Sequence, residues 1–194
     1  MIARGKVQTS SLTVDVSGFV LGARSIPSPN FDERPEGAGI DLLVIHNISL
    51  PPGEFGGPGV ISFFNNRLDP ADHPYYQTIK DFRVSSHLFI RRDGELIQFV
   101  SCLKRAWHAG LSSWRGRERC NDFSVGVELE GADDVMFTDR QYHALGNLTL
   151  ALMSAYPIQA VVGHSDISPG RKSDPGPFFE WTRYRSIFSN KSDS

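Results

Sequence analysis

The stretch Leu42-Leu43-Val44-Ile45-His46 contains four consecutive apolar residues followed by a histidine, and it decides the fold class of the chain. A short apolar run of this kind predicts a buried strand, which is typical of a sheet covered on both faces. A second such strand is predicted over residues 160–162, and His164 follows it closely. Ligands bind beyond strand ends in open α/β sheets, so these two histidines indicate where a site would form.

A third strand is predicted over residues 123–129, where the side chains alternate in character. A period of two places one set of side chains on each face of a sheet. The apolar set is Phe123, Val125, Val127 and Leu129, and the small or polar set is Ser124, Gly126 and Glu128. Glu128 therefore also lies near the end of a strand.

A capping-box pattern predicts the longest helix. Thr138 and Gln141 have the spacing at which a side chain and a backbone amide satisfy each other at a helix N-terminus. Apolar residues then recur at helical spacing as far as Tyr156, and Pro157 follows the predicted helix end.

The other predicted elements are a hairpin and two short helices. Asp93-Gly94 lies between residues 86–91 and 96–100, and this dipeptide is a strong signal for a tight β-hairpin. Helices are predicted over residues 60–68 and 178–187. Strands mixed with helices, including a hairpin, indicate an α/β or α+β layered domain with a mixed sheet.

Length and composition fit one such domain. The chain has 194 residues, of which 40% are hydrophobic and 22% are charged, as in ordinary soluble domains. We expect a loose N-terminal arm over residues 1–16, the domain over residues 17–188 and a C-terminal tail over residues 189–194. The net charge of −2 gives no general attraction for nucleic acid or anionic membranes, so we expect neither as a partner.

The cysteines and the N-terminus bear on the location of the protein. Cys102 and Cys120 are too few for a disulfide scaffold. Basic neighbours leave a reactive thiol open as an interpretation of Cys120, although a reduced structural cysteine is favoured. No apolar signal core precedes the domain, and no apolar run approaches the roughly 18 residues needed to span a bilayer. We therefore expect a cytoplasmic protein.

Polar residues near the strand ends suggest a metal site. The nucleophile elbow, the P-loop, the dinucleotide fingerprint and the HExxH motif are all missing, so a site must be assembled from distant segments. His46 and His164 come at or just after the ends of two predicted strands, and Glu128 lies near the end of a third. The loop after His164 adds Lys172 and Asp174. Two imidazoles and a carboxylate with one open position are a plausible ligand set for catalytic zinc.

Each of these residues also has an ordinary structural interpretation. A histidine at a strand end is commonly a hydrogen-bonded structural residue, and an aspartate before a proline, as in Asp174-Pro175, is commonly a turn former. Glu128 and Glu130 together are compatible with a solvated strand end. From the residues alone, a zinc hydrolase and purely structural roles both remain open.

Several segments match the pattern of a known family. They are VIHNISLPPG at residues 44–53, RAWHAG at 105–110, GVELEG at 126–131, GHSD at 163–166 and DPG at 174–176. With these motifs in order, from about Phe19 to Tyr184, the chain resembles the zinc N-acetylmuramoyl-L-alanine amidases related to peptidoglycan-recognition proteins. The resemblance implies a single domain with a central mixed β-sheet flanked by helices.

The resemblance also implies roles for individual residues. The family's zinc ligands fall on His46, His164 and Asp174, its catalytic glutamate on Glu128 and its oxyanion-stabilising lysine on Lys172. Its substrate-contacting positions fall on Asn47, Arg83, Ala106, Trp107, Arg119 and Leu129. His87 and His108 fit the family pattern as well, and we assign them to the support or the rim of the site.

The implied reaction is hydrolysis of the amide bond between the lactyl group of 1,6-anhydro-N-acetylmuramic acid and L-alanine, as part of cell-wall recycling. The expected cofactor is one Zn²⁺, and the expected substrate is a small soluble anhydro-muropeptide acted on by a monomer. Arg83 and Arg119 are candidates to bind carboxylates of the stem peptide. Trp107 either offers an apolar face to the substrate or packs in the core.

Three other interpretations compete with this one. A binding module that keeps the fold without zinc is disfavoured by the intact set of His46, His164, Asp174 and Glu128. An envelope amidase acting on intact peptidoglycan would need export, for which no signal is seen. Nothing in the sequence favours a zinc carboxamidase for ordinary peptides.

Overall fold

The computed structural model describes residues 12–189. Its strands are β1 (Thr13–Val14), β2 (Val20–Leu21), β3 (Arg24–Ser25), β4 (Phe31–Asp32), β5 (Leu42–Ile48), β6 (Leu88–Ile90), β7 (Leu96–Gln98), β8 (Arg105–Ala106), β9 (Ser113–Trp114), β10 (Arg117–Glu118), β11 (Ser124–Glu130) and β12 (Ala160–Gly163). Its helices are α1 (Gly59–Phe64), α2 (Pro74–Ile79), α3 (Asp139–Ala155), α4 (His164–Ile167) and α5 (Trp181–Ser189), with a 3₁₀ turn at Cys120–Asp122.

A six-stranded mixed sheet forms the centre of the fold. Its strand order is β12-β5-β11-β6-β7-β3. The first four strands in this order run parallel, whereas β7 is antiparallel to β6 and parallel to β3. The predicted fold class, a mixed sheet flanked by helices, is confirmed. The predicted hairpin is the β6–β7 pair.

Helix α3 covers one face of the sheet. Its capping box is present. The Thr138 hydroxyl accepts a hydrogen bond from the backbone N–H of Gln141 at 3.1 Å, and the side-chain oxygen of Gln141 accepts one from the backbone N–H of Thr138 at 3.0 Å. The apolar side chains of α3 pack on Leu43 and Ile45 of β5 and on the odd-numbered residues of β11. Burying each such side chain stabilises the fold by roughly 1.5–3 kcal/mol.

The opposite face of the sheet carries the site. Leu42 and Val44 point to this face, because neighbouring residues of a strand alternate between faces. His46 follows them at the same spacing. On β11 the corresponding set is Ser124, Gly126 and Glu128. Helices α1 and α2 pack beside these residues, over the part of the face formed by β6 and β7.

Two predicted elements differ in length. The strand that begins at Leu42 continues through His46 to Ile48, because β11 pairs with it over its whole length. The helix predicted over residues 60–68 ends at Phe64. Asn66 just beyond it adopts a left-handed conformation with φ of 57°, which terminates the helix.

The closing helix and the N-terminal arm also differ from expectation. Helix α5 begins at Trp181 rather than at residue 178, because Phe179 lies in a turn and inserts between Phe137 and Tyr184. The predicted loose arm, residues 1–16, lies mostly outside the described residues. Its described end is not loose, since β1 pairs with β2 and packs against the core under α3.

Candidate metal centre and active site

Three neighbouring parallel strands bring the predicted site residues together. β5 lies between β12 and β11. His46 on β5 pairs directly with Glu128 on β11, and Gly163 on β12 pairs with Ile45 on β5. His164 directly follows Gly163, so it comes to lie beside His46. Glu128, His46 and His164 therefore form one row at the carboxyl ends of the strands.

His46, His164 and Asp174 converge through one ligand atom each. Nδ1 of His46 lies 3.0 Å from Nδ1 of His164 and 3.0 Å from Oδ2 of Asp174, and Nδ1 of His164 lies 3.1 Å from the same Oδ2. Ligand atoms held about 2.0–2.1 Å from a tetrahedral zinc are roughly 3.3 Å apart. Within residues 12–189, these residues are the one group of metal-binding side chains with this spacing.

The Nε2 atoms of both imidazoles face away from the three converging ligand atoms and are hydrogen-bonded to other groups. Nε2 of His164 lies 3.0 Å from the backbone oxygen of Ala109, to which it donates. This bond leaves Nδ1 of His164 with a lone pair, as a metal ligand requires. Nε2 of His46 lies 2.9 Å from Nδ1 of His108. Burial lowers the pKa of His46 to about 4, so this ring is neutral at pH 7.

Asp174 supplies the negative charge of the group. Burial by itself raises the pKa of this carboxyl, but the His164 and His46 rings beside it outweigh burial and hold the pKa well below the usual range. The carboxylate is therefore ionised. Two imidazoles and one carboxylate are a donor set suited to Zn²⁺, so the residues present fit the metal that the sequence predicts.

Glu128 stands next to this group without a hydrogen-bond partner of its own. Its side chain is 8% exposed, and within the described part of the chain its Oε2 atom is buried and unpaired. Burial raises the pKa of Glu128 well above the usual range, the charge of Asp174 raises it further, and Lys172 opposes both. A buried acceptor left open at a site is the arrangement expected of a general base.

A cavity of about 420 Å³ opens over the row. The site face of the sheet forms its floor, and Lys172 and Asp174 both line it. The apolar wall comes from α1, α2 and the segments beside them, with Phe63, Tyr75, Ile79, Phe82 and Trp107. A polar floor with an apolar wall suits a substrate that presents both a scissile amide and an apolar surface.

Comparison with known proteins identifies the family. A family profile described as "N-acetylmuramoyl-L-alanine amidase" matches residues 36–177, which is most of the chain. The chain belongs to this amidase family. It is therefore a hydrolase of the amidase class, and the resemblance found in the sequence motifs is confirmed.

Individual members of the family agree with this assignment. The 1,6-anhydro-N-acetylmuramyl-L-alanine amidase AmpD of Escherichia coli is 53% identical over 177 residues, which cover 90% of this chain and 97% of that protein. A crystal structure of an AmpD derivative superposes with a TM-score of 0.88 at 53% identity, covering 90% of this chain and 98% of that one.

A more distant structure contains a bound substrate. The E. coli amidase AmiD, in complex with anhydro-N-acetylmuramic acid-L-Ala-D-γ-Glu-L-Lys, is 30% identical with a TM-score of 0.56. The match covers 92% of this chain and 66% of that one. The shared fold extends over nearly all of the amidase chain described here.

Among the predicted substrate contacts, Asn47 and Trp107 line the cavity. The Asn47 amide donates to Oδ1 of Asp133 at 2.7 Å, which fixes its orientation. Asp133 lines the cavity too, and sequence reasoning missed it. It lies just past the end of β11, and the sole signal for it was its nearness to that strand end.

The two predicted arginines do not line this cavity. The guanidinium of Arg83 donates to the backbone oxygens of Lys80 and Phe82, at 3.0 Å each. Arg119 is exposed and pairs with Asp122 at 3.3 Å. Both side chains lie outside the pocket wall, so their contact with substrate stays a prediction.

The side chains of Ala106 and Leu129 are in the core instead. Ala106 is fully buried in the cluster under α1 and α2, and Leu129 packs on the α3 side of the sheet. Since these side chains do not reach the cavity, any contact they make with substrate is restricted to their backbone atoms.

His87, Cys102 and Cys120 are buried. His87 accepts from the Gly126 amide and donates to the Lys104 backbone oxygen, each at 3.0 Å, which confirms a supporting position. Cys102 and Cys120 are both free and buried, and burial raises the pKa of each thiol. Cys120 therefore lacks the lowered pKa that a reactive thiol needs.

Proposed function

We propose that this amidase uses one zinc ion to hydrolyse the amide between the lactyl group of 1,6-anhydro-N-acetylmuramic acid and L-alanine. The names of the AmpD relatives and the ligand bound to AmiD support this substrate. The proposed substrate is a small soluble muropeptide, and the proposed setting is cell-wall recycling by a monomer in the cytoplasm. No helix among residues 12–189 is long and apolar enough to cross a membrane.

One observation carries the proposal. Nδ1 of His46, Nδ1 of His164 and Oδ2 of Asp174 lie within 3.1 Å of one another, beside the unpaired Glu128 carboxyl. We propose that the first three residues hold the metal. Zinc bound there supplies Lewis-acid chemistry, since it polarises a carbonyl and lowers the pKa of water to about 7.

Glu128 and Lys172 act on the substrate itself. Glu128 accepts the proton of the attacking water and returns it to the departing amine of L-alanine. Lys172 lines the same cavity and offers a positive charge to the oxygen of the carbonyl under attack.

Metal analysis together with product identification tests the proposal. The wild type is expected to contain zinc and to release the free peptide from an anhydro-muropeptide. Asp174→Ala is expected to lose both zinc and turnover, whereas Asp139→Ala, at an exposed aspartate at the head of α3, keeps both. A wild type that binds the muropeptide without zinc or turnover would instead indicate a binding module.

The same assay separates the proposal from an envelope amidase. Anhydro-muropeptides and whole peptidoglycan sacculi are offered in parallel to the wild type. The proposal expects rapid cleavage of the soluble substrate and little release from sacculi. Efficient release from sacculi would contradict the assignment to recycling.

A further inference from the structure

His46 belongs to a chain of hydrogen bonds that ends at a backbone carbonyl. Nε2 of His46 lies 2.9 Å from Nδ1 of His108. Nε2 of His108 lies 3.1 Å from the Ser124 hydroxyl, which donates to the backbone oxygen of Cys120 at 2.6 Å. The chain runs from the candidate metal centre into the interior of the protein.

The hydrogen bond from Ser124 to Cys120 determines which group donates in each of the other hydrogen bonds of this chain. A carbonyl oxygen accepts hydrogen bonds and never donates them, so the Ser124 hydroxyl gives its one proton to Cys120. Ser124 must then accept from Nε2–H of His108. Neutral His108 carries a single N–H, so its Nδ1 is left as an acceptor. His46 therefore donates from Nε2, and its own Nδ1 holds a lone pair.

The reverse arrangement would remove a ligand. If His108 carried its proton on Nδ1, that proton would face Nε2 of His46, and neutral His46 would hold its proton on Nδ1. A protonated Nδ1 cannot bind a metal. The carbonyl of Cys120 thus selects the tautomer of His46 through two intervening side chains.

The fold is shaped to hold this chain in place. Ser124 and His46 are fully buried or nearly so, and His108 is 9% exposed. Gly126 lies under the His108 ring: a Cβ atom at this position would come within 2.5 Å of Cγ and Nδ1 of His108. Only glycine lets the imidazole lie this close to β11. Asn121 anchors the same segment, since its side chain accepts from the His108 amide at 3.1 Å.

We propose that His108 and Ser124 are positioning residues that keep His46 in the metal-binding tautomer. This inference rests on the proposed zinc site. Neither residue supplies a ligand atom to the proposed metal site. They determine how often the lone pair on Nδ1 of His46 is available to a metal. Their loss is therefore expected to change metal affinity and the tautomer, and not the fold.

Ser124→Ala is the sharpest variant, because it removes one oxygen atom and little volume. Without the hydroxyl, nothing requires His108 to carry its proton on Nε2. Loss of such an outer hydrogen bond typically weakens metal binding by about 10–100-fold. Ser86→Ala is the matched control: Ser86 is also fully buried and donates to a backbone oxygen of β11, that of Gly126, but it contacts no ligand.

Two readouts are measured on the full-length protein. Zinc affinity comes from competition with a chelator, and the ¹⁵N chemical shifts of the His108 ring report which of its nitrogens carries the proton. We expect Ser124→Ala to lose zinc affinity by about 10–100-fold and to show a fraction of His108 protonated on Nδ1. Ser86→Ala keeps the wild-type values of both.

A pair of substitutions at His108 covers the case in which Ser124→Ala does not fold. His108→Gln retains one acceptor and one donor at a similar separation, so it is expected to preserve zinc affinity. His108→Phe keeps the ring but has neither group, so it is expected to lose affinity as Ser124→Ala does.

The outcomes separate this inference from the zinc proposal. Unchanged zinc affinity and an unchanged His108 tautomer in Ser124→Ala would overturn the positioning role, as would unchanged zinc affinity in His108→Phe where that variant is used instead. Equal losses in Ser86→Ala would also overturn it. A wild type without zinc affinity would reject the metal site, and the ¹⁵N shifts would still show whether Ser124 sets the tautomer.

Discussion

Glu128 and His46 are directly paired residues on neighbouring parallel strands, and both side chains point to the same face of the sheet. Adjacent strands lie about 4.8 Å apart, so backbone pairing sets the distance between the candidate base and a metal ligand. Both residues lie on strands, and a strand positions a base relative to a metal ligand more rigidly than a loop would. This pairing places the proposed proton acceptor beside the proposed metal ligands.

Glu128→Gln is expected to separate metal binding from catalysis. The amide keeps the shape of the side chain but cannot take a proton, so kcat should fall by about 10²–10⁴-fold. Zinc content should stay at the wild-type level, because Glu128 is not one of the converging ligands. Single-turnover kinetics and metal analysis check both parts. Near-normal kcat would exclude Glu128 as the base.

Lys172→Ala is expected to lower kcat without loss of zinc. Removing one group that stabilises an oxyanion costs about 2.7–4 kcal/mol, or roughly 10²–10³-fold in kcat. Lys172→Arg keeps the charge and serves as the partial-rescue variant. If Lys172→Ala retains both zinc and normal activity, the oxyanion role is wrong.

The sheet and the location of the site followed from short-range signals in the sequence. The apolar run before His46 predicted β5, and the capping box at Thr138 predicted the start of α3. Strand ends with polar residues predicted where a site would form, because parallel strands share one edge. Motif resemblance then assigned Asp174 and Lys172, which periodicity alone could not connect to strands so distant in the chain.

Tertiary contacts explain what the sequence did not predict. Helix α2 was missed, although Pro74 at its first position follows the capping residue His73, a recognised start signal. The position of Asp133 in the cavity, and the hydrogen bonds of His108, depend on loops that meet only in the folded protein. The core positions of Ala106 and Leu129 reflect strand register, since adjacent residues on a strand point to opposite faces.

Arg83 and Arg119 test how far the substrate extends beyond the cavity. If they bind carboxylates of the stem peptide, Arg83→Ala and Arg119→Ala should raise KM by about 10-fold with little change in kcat, a loss of roughly 1.4 kcal/mol. Steady-state kinetics on a long and a short stem peptide measure this effect. Substrates without the distal carboxylates are the control, because the variants should match the wild type on them. Unchanged KM on both substrates would remove the arginines from the site.

His87 is expected to make stability depend on pH. The ring is fully buried, and burial together with the charge of Arg34 lowers the pKa of His87 to about 3, against an ordinary value of 6.5. A lowered pKa in the folded state means that the unfolded chain binds a proton first as pH falls. The stabilising contribution is therefore complete above pH 6.5 and decreases as pH falls towards 3.

His87→Gln removes this titration and keeps a polar side chain at the position. The variant is expected to be less stable than the wild type at about pH 7.5, and the gap in unfolding free energy should narrow by about 2 kcal/mol by about pH 5. Urea unfolding of zinc-free protein at both pH values measures the gap. Ser86→Ala, at a buried neighbour that does not titrate, should keep the same gap at both. The other titrating groups are the same in both proteins, so their effects cancel in the difference between the two unfolding free energies. If that difference is the same at both pH values for His87→Gln, His87 does not contribute to the pH dependence of stability.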